Sequence, residues 1–167
     1  MPSPQEITEK FWKSLHGDRT FMLGVDGAEN GHFRPMTAIL EHETGGPVWI
    51  FTAQDNAVTR AVRNMKKRAM AAYSAKGHDL FATIHGTIEL DMDRGMIEKL
   101  WNPFIAAWFE GGKDDPKLAL LRFDADRGEI WLNENSLWAG AKMLFGAGDP
   151  KEDYQDKVAK VRLGNHA

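Results

Sequence analysis

Apolar and polar positions alternate along the chain with two periods, and each period marks an element. Ile7, Phe11, Trp12 and Leu15 recur at helical spacing behind Ser3-Pro4-Gln5-Glu6, a capping box with proline in the first turn. A helix with one apolar face is therefore predicted from Pro4 to Leu15. His16-Gly17-Asp18 ends it, and Arg19 to Val25 reads as the first strand. Asp26-Gly27 and Asn30-Gly31 mark a loop into Phe33 and Arg34. In Pro35-Met36-Thr37-Ala38-Ile39-Leu40, Met36, Ala38 and Leu40 fall on one face of a strand, with Thr37 and Ile39 on the other. Gly45-Gly46-Pro47 predicts a turn, because glycine supplies positive φ and proline presets φ. Val48 to Thr52 is β-branched and aromatic and reads as the next strand. Asp55 or Asn56 then caps a helix running through Arg63.

Farther on, Arg68 to Ser74 and Leu80 to Leu90 predict two strands around the turn Lys76-Gly77-His78-Asp79. Asp91 or Asp93 opens a helix whose buried stripe is Met96, Ile97, Leu100 and Trp101, and Asn102-Pro103 breaks or kinks it. Phe104 to Phe109 continues as a short aromatic helix closed by Gly111-Gly112. Leu118 to Asp124 and Glu129 to Leu132 read as a hairpin across Asp126-Arg127-Gly128. The tail carries Leu137, Trp138, Met143, Leu144 and Phe145 among small residues, then a polar helix near Glu152 to Arg162. About seven short strands with helices between them predict an α+β, mainly β fold, a small antiparallel β-barrel decorated by helices. No repeat or linker interrupts it, so residues 1–167 are expected to form one domain with its core in 7–132 and a helical tail over 133–167.

Charge and composition narrow the function. A net charge of −3 argues against a general nucleic-acid or anionic-membrane binder, so an anionic ligand needs a local cluster of basic residues. Cysteine is absent, which excludes disulfides, thiolate catalysis and thiolate metal sites. The six histidines show no H-x-x-x-H or H-E-x-x-H spacing, and no metal site is expected. Without an apolar run of ~18 residues or a leader pattern, a cytoplasmic location and no membrane partner are expected. One stretch does gather chemistry. A strand ending at Thr52 runs into a capped helix, aiming amide N–H groups and a positive dipole end at one spot suited to phosphate.

Four motifs then stand in a telling order: R-P-M at Arg34, W-I-F-T at Trp49, H-G-T-I-E-L at His85, and L-W-N-P-F-I-A-A-W-F-E-G-G at Leu100. Together, over roughly Ile7 to Leu132, they resemble the general stress protein branch of the pyridoxamine 5'-phosphate oxidase-like, FMN-binding split-barrel family. The resemblance implies an antiparallel split β-barrel of about six to seven strands with flanking helices. It also implies a homodimer that holds FMN at the subunit interface and meets a small-molecule ligand or substrate there. By the same resemblance Arg34, Pro35, Met36 and Thr37 line the phosphate and ring, Phe51 and Thr52 make a second contact, and Trp131 reaches FMN from the other subunit. Arginine suits the phosphate because its fork binds the anion bidentately.

Two departures qualify what the resemblance implies. The family's phosphate-gripping lysine, six residues after the threonine, is Val58 here, and Asn56 stands at the usual serine. FMN is therefore expected to bind weakly, its phosphate left to Arg34, Thr52, Thr59, Arg60 or Arg63, and Val58→Lys is expected to tighten it. The true oxidase's R-x-H-D-R-like C-terminal segment is missing, since the chain reads L-N-E-N-S-L-W-A-G-A-K after Trp131. Oxidation of pyridoxamine 5'-phosphate is accordingly not expected. Two readings remain: an FMN-dependent oxidoreductase of a small substrate, or a non-catalytic stress protein that binds flavin or another ligand. Trp101, Phe104, Trp108 and Phe109 either line the ligand site or pack as core or subunit interface.

Overall fold

The capping box forms as its residues dictate: Ser3 Oγ accepts the Glu6 N–H at 3.2 Å, and Glu6 Oε2 accepts the Ser3 N–H at 2.6 Å. In the computed structural model, which describes residues 2–133 and 158–164, this helix (α1) spans Pro4–Asp18. It buries Ile7, Phe11, Trp12 and Leu15 and closes at Arg19, whose φ of 61° turns the chain into β1 (Thr20–Val25). There follow β2 (Arg34–Thr37), β3 (Val48–Ala53), α2 (Ala57–Val62), β4 (Lys67–Ser74) and β5 (Leu80–Leu90). The second half carries α3 (Arg94–Leu100), α4 (Pro103–Ala106), β6 (Leu118–Leu132) and β7 (Val158–Arg162). Asn56 rather than Asp55 caps α2, and Asp93 rather than Asp91 caps α3.

The strands are antiparallel in the order β2-β1-β4-β5-β6-β3. The predicted strand from Pro35 to Leu40 is regular only to Thr37, but Ile39 then bridges to Trp49 on β3 and nearly closes the sheet into a barrel. Its interior holds residues such as Phe11, Leu23, Ile50, Ile84, Ile88 and Phe123. A second apolar cluster, Trp49, Ile97, Ile105, Phe109, Leu118 and Leu120, lies outside the barrel wall under α3 and α4. Both faces of β3 and of the first half of β6 are thus covered. That is why Leu118-Ala119-Leu120-Leu121 reads as an unbroken apolar run rather than an alternation. The β2–β3 connection turns at Gly45, whose φ of 106° and 2.9 Å approach to the Trp12 ring leave no room for a side chain.

Two expectations are corrected. Leu118 to Leu132 is not a hairpin but one strand of 15 residues. The partner decides this: β5 pairs along its whole length, from Leu80↔Leu132 to Leu90↔Leu121. Asp126-Arg127-Gly128 serves as a bulge in that ladder, since His85 faces Arg127 while Gly86 faces Ala125 and Asp126 is left over. A Cβ on Gly86 would stand 2.1 Å from the Asp124 carbonyl oxygen, and Arg68 anchors the extra residue through Asp126 Oδ2 at 2.5 Å. Second, Val158–Arg162 is a strand rather than the end of a polar helix. Ala159, Val161 and Leu163 are buried while Lys160 and Arg162 are exposed, a period of two. The expected tail over 134–157, including Leu137, Trp138 and Phe145, lies outside the described residues.

Candidate functional site

Strand ends and one short helix enclose a cavity of about 390 Å³ at the barrel rim. One wall is β-structure, with Thr37 and Ile39 from β2 and its extension and Phe51, Thr52 and Ala53 from the end of β3. The opposite wall is α4 and the turn after it, bringing Phe104, Ile105, Trp108 and Phe109. Local chemistry sets that wall. The Asn102 side chain accepts the N–H groups of Phe104 at 2.9 Å and Ile105 at 3.1 Å, and Pro103 occupies the first helical position. The ambiguous aromatics divide accordingly. Phe109 is buried, and Trp101 packs edge-on to Phe51 with centroids 6.1 Å apart, whereas Phe104 and Trp108 are 79% and 84% exposed beside the cavity.

Arg19, in the left-handed conformation between α1 and β1, lines the same cavity and is the ionisable side chain of its lining. It makes no ion pair among the described residues, so the cavity combines aromatic walls, the Thr37 and Thr52 hydroxyls and one cation. Such a donor set fits a flat aromatic ligand bearing polar groups.

The other residues singled out in the sequence occupy different places. Arg34 lies three residues before Thr37 on β2, about 10 Å along the strand. Its guanidinium grips Glu29 with two bonds, from Nε to Oε2 at 2.6 Å and from Nη2 to Oε1. That pairing holds the Glu29 carboxyl below the usual carboxylate range, and His32 and Arg60 add to the positive field around it. Pro35 is exposed, and Met36 points back toward the barrel core. Asn56 accepts the Val58 N–H at 2.9 Å. Thr59 is completely buried and donates to the Ala53 carbonyl at 2.9 Å. Arg60 donates to the Asp55 carbonyl and Arg63 to the Gln54 carbonyl, the latter at 2.7 Å. Val58 is buried in the main core.

Trp131 is half-buried on β6 opposite Phe81 and Val158. The cavity lies where Ala53 pairs with Leu118, thirteen residues earlier on β6, and Trp131 is not part of its lining. Thr37, Phe51 and Thr52, singled out in the sequence, line one cavity, joined by Arg19, which the sequence presents as a strand start, and Asn102, which it presents as a helix break. The Asn-Pro pair was the available signal for the second wall. Among the described residues no group of three or more His, Asp or Glu is placed to hold a metal ion, and no helix is long and apolar enough to cross a membrane.

Comparison with known proteins follows the same outline. The family described as "Pyridoxamine 5'-phosphate oxidase like" matches residues 6–151. A general stress family protein of Xanthomonas campestris pv. campestris is 56% identical, covering 82% of this chain and 94% of its own, with a TM-score of 0.77. The general stress FMN/FAD binding protein of Xanthomonas citri is 57% identical over 79% of this chain and 92% of its own, with a TM-score of 0.76. General stress protein 26 of Jannaschia sp. CCS1 is 26% identical but covers 98% of this chain and all of its own, with a TM-score of 0.79. No curated protein matches the sequence.

Proposed function

This chain belongs to the pyridoxamine 5'-phosphate oxidase-like family, and on that premise we propose that it is a flavin-binding, stress-related protein that takes the flavin ring into the rim cavity. The observation that carries the reading is the cavity itself: 390 Å³, aromatic on the α4 side, with hydroxyls and strand backbone opposite. The printed name of the Xanthomonas citri relative, an FMN/FAD binding protein, supports the same ligand class.

In this reading Thr37, Thr52 and the backbone of β2 and β3 meet the polar rim of the ring, Phe51 packs on its face, and Arg34 serves a phosphate. When bound, the flavin supplies hydride and single-electron chemistry. The protein's part is to orient it, exclude water from it and place one cation, Arg19, nearby. Arg19 is the sole ionisable group in the lining among the described residues, so no side-chain acid–base pair faces the substrate there. A flavin held this way needs no such pair for its own chemistry, and we read the protein as an FMN-dependent oxidoreductase of a small substrate, with a non-catalytic flavin carrier as the second reading. Pyridoxamine 5'-phosphate is not the expected substrate, because the basic segment that would clamp it is missing after Trp131.

The exposed Phe104 and Trp108 beside the cavity support a homodimer, since large apolar side chains at a ligand site are normally covered. Trp131 is outside the lining of its own chain's cavity, so in this reading the Trp131 that contacts flavin is the one on the second copy. The test is an absorbance spectrum between ~350 and ~500 nm, where bound oxidised flavin absorbs, on protein saturated with FMN and gel-filtered, followed by NAD(P)H addition. A retained flavin band supports the binding site, and its bleaching supports the enzyme over the carrier. Protein that retains and quenches neither FMN nor FAD refutes the flavin reading.

A further inference from the structure

We propose that Glu29 is a specificity determinant of this site, an internal anion that holds the phosphate-binding fork of Arg34 and disfavours phosphorylated flavins relative to the bare ring system. The inference rests on the flavin reading above. Its basis is the double bond from Arg34 Nε and Nη2 to the two carboxylate oxygens of Glu29, the geometry a phosphate would otherwise take.

The surroundings make Glu29 a resident anion rather than a chance surface partner. Its side chain is only 20% exposed, and His32 and Arg60 contribute to the positive field that favours its charge. Glu29 adopts a φ of 50°, in the left-handed region that a glutamate takes reluctantly, beside Asn30 at 55°. The turn holding them, Glu29–Gly31, therefore keeps a carboxylate against Arg34 in spite of its own backbone preference. Of the other phosphate candidates on α2, Arg60 donates to the Asp55 carbonyl and Arg63 to the Gln54 carbonyl, and Val58 is buried. A phosphate arriving here must displace or face a fixed negative charge. Riboflavin, which has the same ring and ribityl chain without the phosphate, meets no such conflict.

The experiment is a fluorescence-quenching titration of wild type, Glu29→Gln and Glu29→Asn with FMN and with riboflavin. Asparagine is included because it tolerates the left-handed region, so a fold defect in one variant does not decide the outcome. Removing the charge is expected to tighten FMN by roughly ten- to a hundredfold, the worth of one charge-assisted contact, and to leave riboflavin unchanged. The gain should vanish when Arg34→Gln is added. A second readout needs no flavin: inorganic phosphate should raise the melting temperature of both variants more than that of wild type. FMN affinity that is unchanged or weaker in both folded variants overturns the proposal, as does an equal gain for riboflavin. Failure of all three proteins to bind either flavin sinks the flavin reading and this inference with it, whereas FMN binding indifferent to residue 29 sinks the inference alone.

Discussion

Val58→Lys places here the lysine that the family resemblance implies, and the structure gives it two opposed effects. Val58 is 2% exposed in the main core, on the face of α2 that packs toward β5. Removing a fully buried valine loses about 1.5–3 kcal/mol of apolar burial. The lysine stem can cover part of the vacated surface only if its ammonium reaches water, and that strains the side chain. A net loss of roughly 2–4 kcal/mol in the flavin-free protein follows, within the range for a disrupted core position. For a chain of this size that lowers the melting temperature by roughly 4–16 °C. Against this, a lysine that reaches the phosphate adds a charge-assisted contact of about 1.5–3 kcal/mol, tightening FMN roughly ten- to a hundredfold. Urea unfolding with and without saturating FMN separates the two, with Val58→Ala as the control that loses packing without adding charge. The expected pattern is a destabilised apo protein, tighter FMN, and partial recovery of stability on flavin addition by linkage. Apo Val58→Lys as stable as wild type would refute the burial argument. A destabilised variant with unchanged FMN affinity would refute the reach of the lysine.

Gly86→Ala should be among the most damaging single-carbon changes, costing about 3 kcal/mol or more, because the new Cβ lands 2.1 Å from a backbone oxygen that β6 cannot easily move; a urea midpoint near wild type would contradict the bulge geometry. Asp18 is held below the usual carboxylate range first by the Lys76 N–H, with help from the Tyr73 hydroxyl, whose own ionisation burial pushes up to about 12. A carboxyl depressed in the folded state stabilises above its unfolded value and loses that contribution as pH falls through the folded one. The stability gap between wild type and Asp18→Asn should therefore narrow as pH drops from about 5 to about 3, and a constant gap in acid-titration unfolding would count against the interaction. Trp108→Glu should weaken both self-association and FMN retention if a second copy covers this face, and light scattering that shows wild type monomeric at micromolar concentration would remove the premise.

What the sequence made legible was the local chemistry. Ser3 with Glu6, Asn56, Gly45 and Asn102-Pro103 each announce an element boundary through a bond or φ value made within a few residues. Asp126-Arg127-Gly128 misled because the same residues suit a turn or a bulge, and the choice belongs to β5, whose Gly86 lies 40 positions before Asp126. The strand at Val158–Arg162 was hidden among charged residues whose alternation appears only beside β6. The cavity was half legible for a similar reason: Thr37, Phe51 and Thr52 sit in recognisable motifs, while Arg19 joins them only because the turn after α1 brings it across. Val58 showed that a cation is missing but not that its replacement is buried.

The division of β6 between two partners has a consequence for how the chain is made. Its first half is paired by β3, from Val48↔Phe123 to Ala53↔Leu118, and its second half, Arg127 to Trp131, by β7. β7 leaves the ribosome some 25 residues after β6 is complete. During that interval Arg127 to Trp131 presents an open row of backbone donors and acceptors with Ile130 inside it. Such an edge templates pairing with other chains, and slow closure of a distant strand prolongs the exposure. The two arginines that meet there, Arg127 and Arg162, place like charges at the margin of the final ladder. The same charge on Arg127 acts earlier as a gatekeeper, repelling a second nascent copy that would add its own β6 in register.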